Sequence, residues 1–168
     1  MNIILIGFMG SGKTAVGKEL AAKLKMDFLD TDELIEKTEG RSITSIFQEY
    51  GEPYFRKLET ETLKTLQDYD NYVLSTGGGI VLKEENAARL KELGKVIWLW
   101  AEPEVIHERI KHETHRPLLK VADPQAEIKN ILLVRLPFYK NAADHKIDTT
   151  ERPPHQVAME IIEWLKLK

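Results

Sequence analysis

The sequence predicts an α/β fold in which a parallel sheet is covered by helices. Two observations support this prediction. Short apolar runs alternate with longer amphipathic segments, and a glycine-rich stretch stands between the first apolar run and the first amphipathic segment. The 168 residues are enough for a substantial core, and no linker or internal repeat divides them. We therefore expect a single domain over residues 1–168.

Short apolar runs bounded by turn residues indicate the strands. The predicted strands are Asn2–Ile6, Asp27–Asp30, Tyr72–Ser75, Lys95–Trp100 and Lys146–Asp148. The fourth is apolar almost throughout, which is typical of a strand buried on both faces. Helices are expected between consecutive strands because parallel neighbours need crossover connections.

Amphipathic spacing and end signals indicate the helices. They are predicted at Thr14–Leu24, Ser42 to Tyr50, Pro53 to about Leu66, Glu84–Leu93, Pro103–Lys111, Pro124 to about Asn141, and Pro154–Lys166. Ser42 and Asp123 are predicted as N-caps, and Gly94 as a C-cap. The segment His112–Lys120 is polar, contains a proline and lacks periodicity, which indicates a mobile loop.

Composition argues against several classes of protein. The net charge is −3, whereas nucleic-acid binders usually carry a basic surplus. There is no cysteine for a disulfide framework or thiolate metal site, and no apolar run is long enough to cross a bilayer. The N-terminus carries no basic leader, so a cytoplasmic location is expected. No sustained heptad pattern is visible, so we expect a monomer.

The strongest functional signal is the segment Gly7–Thr14, which matches the pattern G-x-x-x-x-G-K-[ST]. It lies between a predicted strand and a predicted helix, where the glycines let backbone N–H groups point at phosphate oxygens. The helix N-terminus favours an anion at the same place. Lys13 is expected to reach the β- and γ-phosphates, and Thr14 to offer its hydroxyl to Mg²⁺. A chance match remains the alternative, but the position makes it rare.

Two acids follow the second strand, in the step Asp30-Thr31-Asp32. In a parallel sheet they would point towards the phosphate loop, since ligands bind beyond the carboxyl ends of the strands. One acid could hold Mg²⁺ through water, and the other could orient an acceptor hydroxyl and take its proton. Alternatively, Thr31 or Asp32 simply caps a helix over Glu33–Thr38.

Arginines and glycines supply further candidate site residues. Arg56 precedes Glu59 by three residues, so the acid can fix the guanidinium for bidentate binding of a carboxylate. Arg116 and Arg135 are further candidates, although a lone arginine is more often a solvated surface charge. The triple glycine Gly77–Gly79 would let a ligand approach the backbone closely, or would form only a tight turn.

Taken together, these motifs resemble the shikimate kinase family over essentially the whole chain. The matching stretches are Gly7–Thr14, Asp30–Asp32, Ser42-Ile43 with Ile46-Phe47, Gly51–Glu59, Ser75–Gly79, Arg116–Leu119, Arg135 with Tyr139, and Ile147–Thr149. The phosphate loop occurs in many families, whereas the other motifs in this order are far more specific. The resemblance implies a P-loop NTPase fold, a three-layer α/β/α sandwich whose five-stranded parallel sheet has the order 2-3-1-4-5. It also implies shikimate-binding helices at about 31–60 and a mobile lid at about 112–120.

The resemblance implies ATP-dependent phosphorylation of the 3-hydroxyl of shikimate, a step of chorismate and aromatic amino acid biosynthesis. The residues implied in shikimate binding are Asp32, Phe47, Phe55, Arg56, Glu59, Gly77, Gly78, Gly79 and Arg135. Asp32 would bind the ring hydroxyls and the arginines the carboxylate, while Gly78 would give a backbone contact and the phenylalanines would wall the pocket.

The resemblance likewise implies a complete ATP site. Its residues would be Gly10, Ser11, Gly12, Lys13, Thr14, Ala15, Arg109, Arg116, Arg152 and Pro154. Arg116 would lie on the lid and meet the transferring phosphate, so that Lys13, Asp32 and Arg116 are the implied catalytic residues. Thr14 and, through water, Asp30 would hold Mg²⁺. Arg109, Arg152 and Pro154 would flank adenine, by similarity to the family's segment after the last strand, where Pro153 and Pro154 both stand.

Other readings of the residues stay open. A kinase for another small metabolite or for a nucleoside monophosphate would also use arginines, although the acid Asp32 would repel a phosphorylated acceptor nearby. A GTP-dependent switch usually reads guanine with Asn-Lys-x-Asp, and no such tetrapeptide occurs. A P-loop protein with only a structural or regulatory role is disfavoured because every expected catalytic position is filled.

Overall fold

The fold is built on a five-stranded parallel sheet in the order β2-β3-β1-β4-β5. The computed structural model describes residues 1–113 and 116–166. The strands are β1 (Asn2–Ile6), β2 (Asp27–Asp30), β3 (Tyr72–Ser75), β4 (Gly94–Trp100) and β5 (His145–Asp148). The predicted strand order is confirmed, and each predicted strand agrees with an observed one to within one residue.

Helices cover both faces of the sheet because alternate residues of the apolar strands point in opposite directions. Ile4 and Ile6 of β1 belong to the core cluster on one face, whereas Ile3 and Leu5 belong to the cluster on the other. The helices are α1 (Lys13–Leu24), α2 (Thr31–Glu39), α3 (Ile43–Tyr50), α4 (Glu52–Thr65), α5 (Glu84–Leu93), α6 (Pro103–Ile110), α7 (Pro124–Ala142) and α8 (Pro154–Lys166). The predicted three-layer α/β/α architecture is confirmed.

The helix ends follow from identifiable residues. Ser42 and Asp123 accept hydrogen bonds from Ser45 N and Ala126 N, as expected of N-caps. Gly94 closes α5, its N–H donating to Leu90 O, and also begins β4. The alternative in which Thr31 or Asp32 caps a helix over Glu33–Thr38 is wrong, because α2 begins at Thr31 and its N-cap is Asp30.

Two short 3₁₀ helices, Ile80–Leu82 and Pro117–Leu119, were not predicted. The second interrupts the segment 112–120, which was expected to be an irregular loop and lid. Residues 114 and 115 of that segment lie outside the described residues. Within the ranges 1–113 and 116–166, none of the helices is long and apolar enough to cross a membrane.

The parallel arrangement brings three motifs to one edge of the sheet. Leu5 of β1 is in register with Ser75 of β3, and Asp30 of β2 pairs with the same serine. The phosphate loop, the acidic step and the triple glycine each follow one of these neighbouring strands. They therefore meet beyond the carboxyl ends of the strands, where ligands bind in open α/β sheets.

Candidate active site

A cavity of about 630 Å³ opens at this edge of the sheet. It is lined by the phosphate loop, the acidic step, the triple glycine and residues from α3, α4, α6 and α7. Most of the predicted site residues line it: Gly10, Gly12, Lys13, Thr14, Ala15, Asp30, Asp32, Phe47, Phe55, Arg56, Gly77, Gly78, Gly79, Arg109, Arg116 and Arg135. The structure therefore brings together residues that lie far apart in the sequence.

The phosphate loop curls around the side chain of Lys13. Its Nζ donates hydrogen bonds to the carbonyl oxygens of Gly7 (2.8 Å) and Phe8 (2.9 Å). Gly10 and Gly12 have φ values of 75° and 96°, which side-chain-bearing residues rarely adopt. The loop thus has the conformation that its glycines predict, with the ammonium group at its centre.

Burial lowers the pKa of Lys13 from 10.5 to about 8. The negative charges of Asp32 and Asp30 oppose this shift, while Arg116 and Arg135 reinforce it. The ammonium group is charged at neutral pH but poorly solvated. A phosphate anion beside it would therefore be bound strongly, since each partner compensates the other's lost hydration.

Asp30 lies at the start of α2 and uses both carboxylate oxygens. Oδ1 accepts from Asp32 N (2.9 Å), and Oδ2 accepts from the hydroxyl of Thr14 (3.2 Å). The first contact caps the helix and the second joins the acidic step to the phosphate loop. These contacts place two hard oxygen donors side by side, the kind of ligand that Mg²⁺ prefers.

Asp32 lines the cavity, and its surroundings destabilise the ionised form of its carboxyl group. Burial, and then the charges of Asp30 and Glu59, raise its pKa from 3.8 to about 7, against the opposing effects of Lys13 and Arg116. Its Oδ1 is buried and has no hydrogen-bond partner within the described part of the chain. A group with this pKa is suited to accept a proton near neutral pH.

Arg56 is held between two glutamates. Its Nη1 donates to Glu59 Oε1 (2.6 Å) and its Nη2 to Glu52 Oε1 (3.1 Å). The side chain of Glu59 is fully buried, and this burial raises the pKa of Glu59. Spacing predicted the pairing with Glu59, and the same helix adds Glu52 one turn earlier. The guanidinium therefore lies in one orientation at the cavity wall.

The triple glycine is needed for steric reasons. A Cβ atom on Gly77 would lie 2.7 Å from Asp32 Oδ1 and 2.9 Å from Glu59 Oε2. On Gly79 it would lie 2.4 Å from Arg56 Nη1, closer than real Cβ atoms approach such groups. The turn is thus packed directly against the acid and the arginine of the site, which favours the functional reading of the glycines over that of a simple turn.

Replacing Gly79 with alanine tests this packing. Gly79 has φ −103°, so alanine suits the backbone and the effect should come from the collision with Arg56. If the site binds the substrates that the resemblance implies, KM for the carboxylated acceptor should rise about tenfold or more, since a hydrogen bond to a charged group contributes ~1.5–3 kcal/mol. KM for the nucleotide should stay within about twofold, as steady-state kinetics can measure.

Gly40→Ala is the control, because a Cβ there meets nothing within 4 Å although φ is +67°. It should lower thermal stability without changing either KM. An unchanged KM for the acceptor in Gly79→Ala would mean that acceptor binding does not depend on the present position of Arg56.

Arg135 approaches the cavity from α7 and is almost completely buried. Its guanidinium lies over the ring of Phe8, 5.5 Å from the centroid, and its Nη1 has no hydrogen-bond partner within the described ranges. One helical turn later, Tyr139 donates its hydroxyl proton to the carbonyl of Gly78. Arg135 is thus a buried cation with an unused donor on the same cavity as Asp32.

Arg116 and the aromatic pair complete the cavity wall. Arg116 Nε donates to Glu113 (2.7 Å), and its charge lowers the pKa values of both Lys13 and Asp32. Phe47 and Phe55 pack with ring centroids 5.0 Å apart. Arg116 therefore adds a cation to the cavity lining, and Phe47 and Phe55 add an apolar surface. This combination suits a ligand with an anionic group and an apolar ring face.

Of the three predicted adenine contacts, Arg109, Arg152 and Pro154, only Arg109 belongs to the described cavity lining. Arg109 lines the cavity, and its guanidinium donates to the carbonyls of Gly10 (3.0 Å) and Thr149 (2.8 Å). Arg152 pairs with Glu160, and Pro154 begins α8. Among the described residues, Arg152 and Pro154 are not part of the cavity lining, so their adenine contacts stay a prediction.

Some residues that line the cavity were not predicted as binding or catalytic residues. Glu33, Glu36, Ser42, Ile43, Ser75 and Thr76 also line the cavity. Glu36 could have been found from its spacing, because it lies one helical turn after Asp32. Its carboxylate accepts from Ile43 N (3.0 Å) and so ties α2 to the start of α3. Tyr139, which belongs with Arg135 to one of the motifs already named from the sequence, has the same i, i+4 relation to that arginine.

Comparison with known proteins agrees with this geometry. The shikimate kinase family profile matches residues 9–166. A shikimate kinase of Thermodesulfovibrio yellowstonii is 49% identical over 162 residues, covering 96% of this chain and 93% of that protein. One from Caldanaerobacter subterraneus subsp. tengcongensis is 46% identical over 168 residues, covering 99% and 98%. The structure of Acinetobacter baumannii shikimate kinase in complex with shikimate aligns with a TM-score of 0.95 at 37% identity, covering 98% of this chain and 92% of that one.

Proposed function

The chain belongs to the shikimate kinase family, and we propose on that basis that its cavity transfers the γ-phosphoryl group of ATP to the 3-hydroxyl of shikimate. The products are shikimate 3-phosphate and ADP, in chorismate and aromatic amino acid biosynthesis. The observation that carries the proposal is the shared cavity of Lys13 and Asp32. A phosphate-binding ammonium and a carboxylate with a buried, unpartnered oxygen line the same space.

ATP is bound through its phosphates at the phosphate loop. Backbone amides and the N-terminus of α1 offer donors to the phosphate oxygens. Lys13 balances the charge that spreads over the transferring phosphoryl oxygens in a loose transition state. Arg116, which also lines the cavity, adds a second positive charge close enough to lower the pKa of Lys13. Most of the rate enhancement therefore comes from positioning and electrostatic stabilisation.

Shikimate is bound by its carboxylate, between Arg56 and Arg135. Arg56 is fixed by Glu52 and Glu59, and Arg135 has an unused buried donor. A planar guanidinium matches a carboxylate by paired hydrogen bonds, which fixes the direction of the ring as well as its position. The Gly78 backbone and the Phe47–Phe55 wall limit the remaining freedom. The ring then presents one hydroxyl to the γ-phosphorus.

Asp32 orients that hydroxyl and accepts its proton late in the transfer. Its pKa of about 7 makes the carboxylate available at neutral pH and basic enough to take a proton. The same negative charge would repel a phosphorylated acceptor such as a nucleoside monophosphate. An alcohol is the acceptor that best suits this wall of the cavity.

The metal that would accompany ATP is Mg²⁺. The Thr14 hydroxyl and the Asp30 carboxylate, 3.2 Å apart, are oxygen donors of the type this ion takes together with phosphates and water. When bound, it neutralises charge on the phosphates. Arg109, Arg152 and Pro154 remain the proposed adenine contacts.

One domain, a mobile lid at about 112–120, a monomeric state and a cytoplasmic location stay predictions.

An acceptor panel tests the proposal. The protein is incubated with Mg-ATP and shikimate, gluconate or AMP, and ADP release is followed by a coupled assay. We expect shikimate to be used with a kcat/KM at least a hundredfold higher than that of gluconate or AMP. A preference for AMP or gluconate would overturn the assignment of the acceptor. ADP release independent of any acceptor would overturn the assignment as a kinase.

A further inference from the structure

Thr149 follows directly after β5, and its side chain contacts the backbone of the phosphate loop at Ser11. The residue is buried, with 3% of its surface exposed. Its Oγ1 lies 3.0 Å from Ser11 O and 3.0 Å from Trp100 O. The backbone N–H of Thr149 already donates to Trp100 O, at 2.7 Å. A hydroxyl has only one proton to donate. Because Trp100 O already accepts from the backbone N–H, the hydroxyl proton is available to the carbonyl of Ser11.

Arg109 completes the arrangement from α6. Its Nη1 donates to Gly10 O (3.0 Å) and to the hydroxyl oxygen of Thr149 (3.3 Å), while Nη2 donates to Thr149 O (2.8 Å). Two consecutive carbonyls of the phosphate loop, those of Gly10 and Ser11, are thus held by the side chains of Arg109 and Thr149. The threonine hydroxyl both accepts from the guanidinium and donates to the loop.

Holding the Ser11 carbonyl determines where the next amide points. In a trans peptide the C=O and N–H bonds point in opposite directions, so fixing Ser11 O on the Thr149 side directs Gly12 N–H to the other side. Gly12 lines the cavity and has φ 96°. Glycine imposes little preference of its own on the peptide plane. A flipped plane would turn a carbonyl oxygen towards the phosphates.

We propose that Thr149 is a positioning residue for polyphosphate, whose hydroxyl fixes the Ser11–Gly12 peptide so that its amide faces the phosphates of the nucleotide. The proposal rests on the nucleotide site described under the proposed function and adds a residue to it. Thr149 acts through the loop, not on the adenine base. Its loss therefore weakens every ligand that carries the polyphosphate, with or without a base.

The test compares Thr149→Val, which keeps the shape and loses the hydroxyl, with Thr149→Ser, which keeps the hydroxyl. Binding of ATP and of inorganic tripolyphosphate is measured by calorimetry, with magnesium held constant. We expect Thr149→Val to weaken both ligands about tenfold, which is about 1.4 kcal/mol of binding free energy. Thr149→Ser should stay within about threefold of the parent, and KM for shikimate should not change.

Thr150→Val is the matched control. The Thr150 hydroxyl contacts Asp148 Oδ1 and Glu102 N rather than the phosphate loop, so this variant should bind tripolyphosphate normally. Should Thr149→Val fail to fold, Thr149→Ala replaces it in the comparison with Thr149→Ser.

Three results would overturn the proposal. They are unchanged tripolyphosphate binding in the variant without the hydroxyl, weakened ATP binding with tripolyphosphate unaffected, and equal losses in the serine and valine variants. Tripolyphosphate binding needs no acceptor, so this test is decided separately from the identity of the acceptor.

Discussion

Asp32→Asn is expected to lower kcat for shikimate phosphorylation by roughly 10²–10⁴-fold, the range that a positioned general base contributes. Asparagine keeps the size of the side chain and one acceptor oxygen but cannot take the proton of the acceptor hydroxyl. ATP binding should change little, because the proposed phosphate contacts are the loop and Lys13 rather than Asp32. Steady-state kinetics and ATP calorimetry on the same preparation measure both effects.

The same substitution should stabilise the fold at neutral pH. The folded-state pKa of Asp32 is raised from 3.8 to about 7, so the buried charge costs stability. This cost is absent below the unfolded pKa, grows as the pH rises from about 4 to 7, and is constant above that range. Three pKa units correspond to an upper limit of about 4 kcal/mol. Asp32→Asn should therefore raise Tm by several degrees at pH 8 and by much less at pH 4.5.

Asp27→Asn is the control for both effects. Asp27 is exposed at the other end of β2, so neither kcat nor the pH dependence of Tm should change. Full activity in Asp32→Asn would eliminate the proposed role of Asp32 in orienting the hydroxyl and accepting its proton. A Tm difference that does not depend on pH would mean that the buried charge of Asp32 does not destabilise the fold.

Lys13→Ala is expected to lower kcat by about 10³-fold and to weaken ATP binding. In the proposed mechanism the side chain supplies positive charge at the transferring phosphate, where removal of even a single preorganised donor costs roughly 10²–10³ in kcat. Alanine also removes the bonds to the carbonyls of Gly7 and Phe8 that shape the loop. Binding of shikimate alone should be unaffected. Single-turnover kinetics and separate calorimetry with each substrate test these expectations.

Lys23→Ala is the matched control, because Lys23 lies on the exposed side of α1. This variant should have the kcat and ATP affinity of the parent. Lys13→Met keeps most of the stem and separates the loss of charge from the loss of packing. If Lys13→Ala retained kcat within about tenfold of the parent, the charge at the loop centre would not be essential for transfer.

Local chemistry made most of the fold predictable. The four apolar residues of β1, the glycines of the phosphate loop and the capping residues Ser42 and Asp123 each favour one local structure, and all agree with the observed elements. The site followed from the rule that the carboxyl ends of parallel strands meet at one edge. Motifs placed after β1, β2 and β3 therefore had to be neighbours once the strand order was known.

What the sequence did not reveal depends on tertiary contacts. Asp30, Thr31 and Asp32 can each cap a helix, and only the extended backbone at Asp30 decides between them. The contact of Thr149 with Ser11 joins residues 138 positions apart, so no local pattern signals it. Glu59 has the spacing of a surface ion pair with Arg56, and its complete burial follows from the packing of the glycine turn against α4.

The position of the phosphate on the product tests the central claim most directly. After incubation with Mg-ATP and shikimate, the product is examined by phosphorus NMR with coupling to ring protons. The account predicts one phosphoester, coupled to the proton on carbon 3, and its near absence with Asp32→Asn. An ester on another hydroxyl, or inorganic phosphate alone, would contradict a cavity in which two arginines fix the ring and Asp32 orients one alcohol.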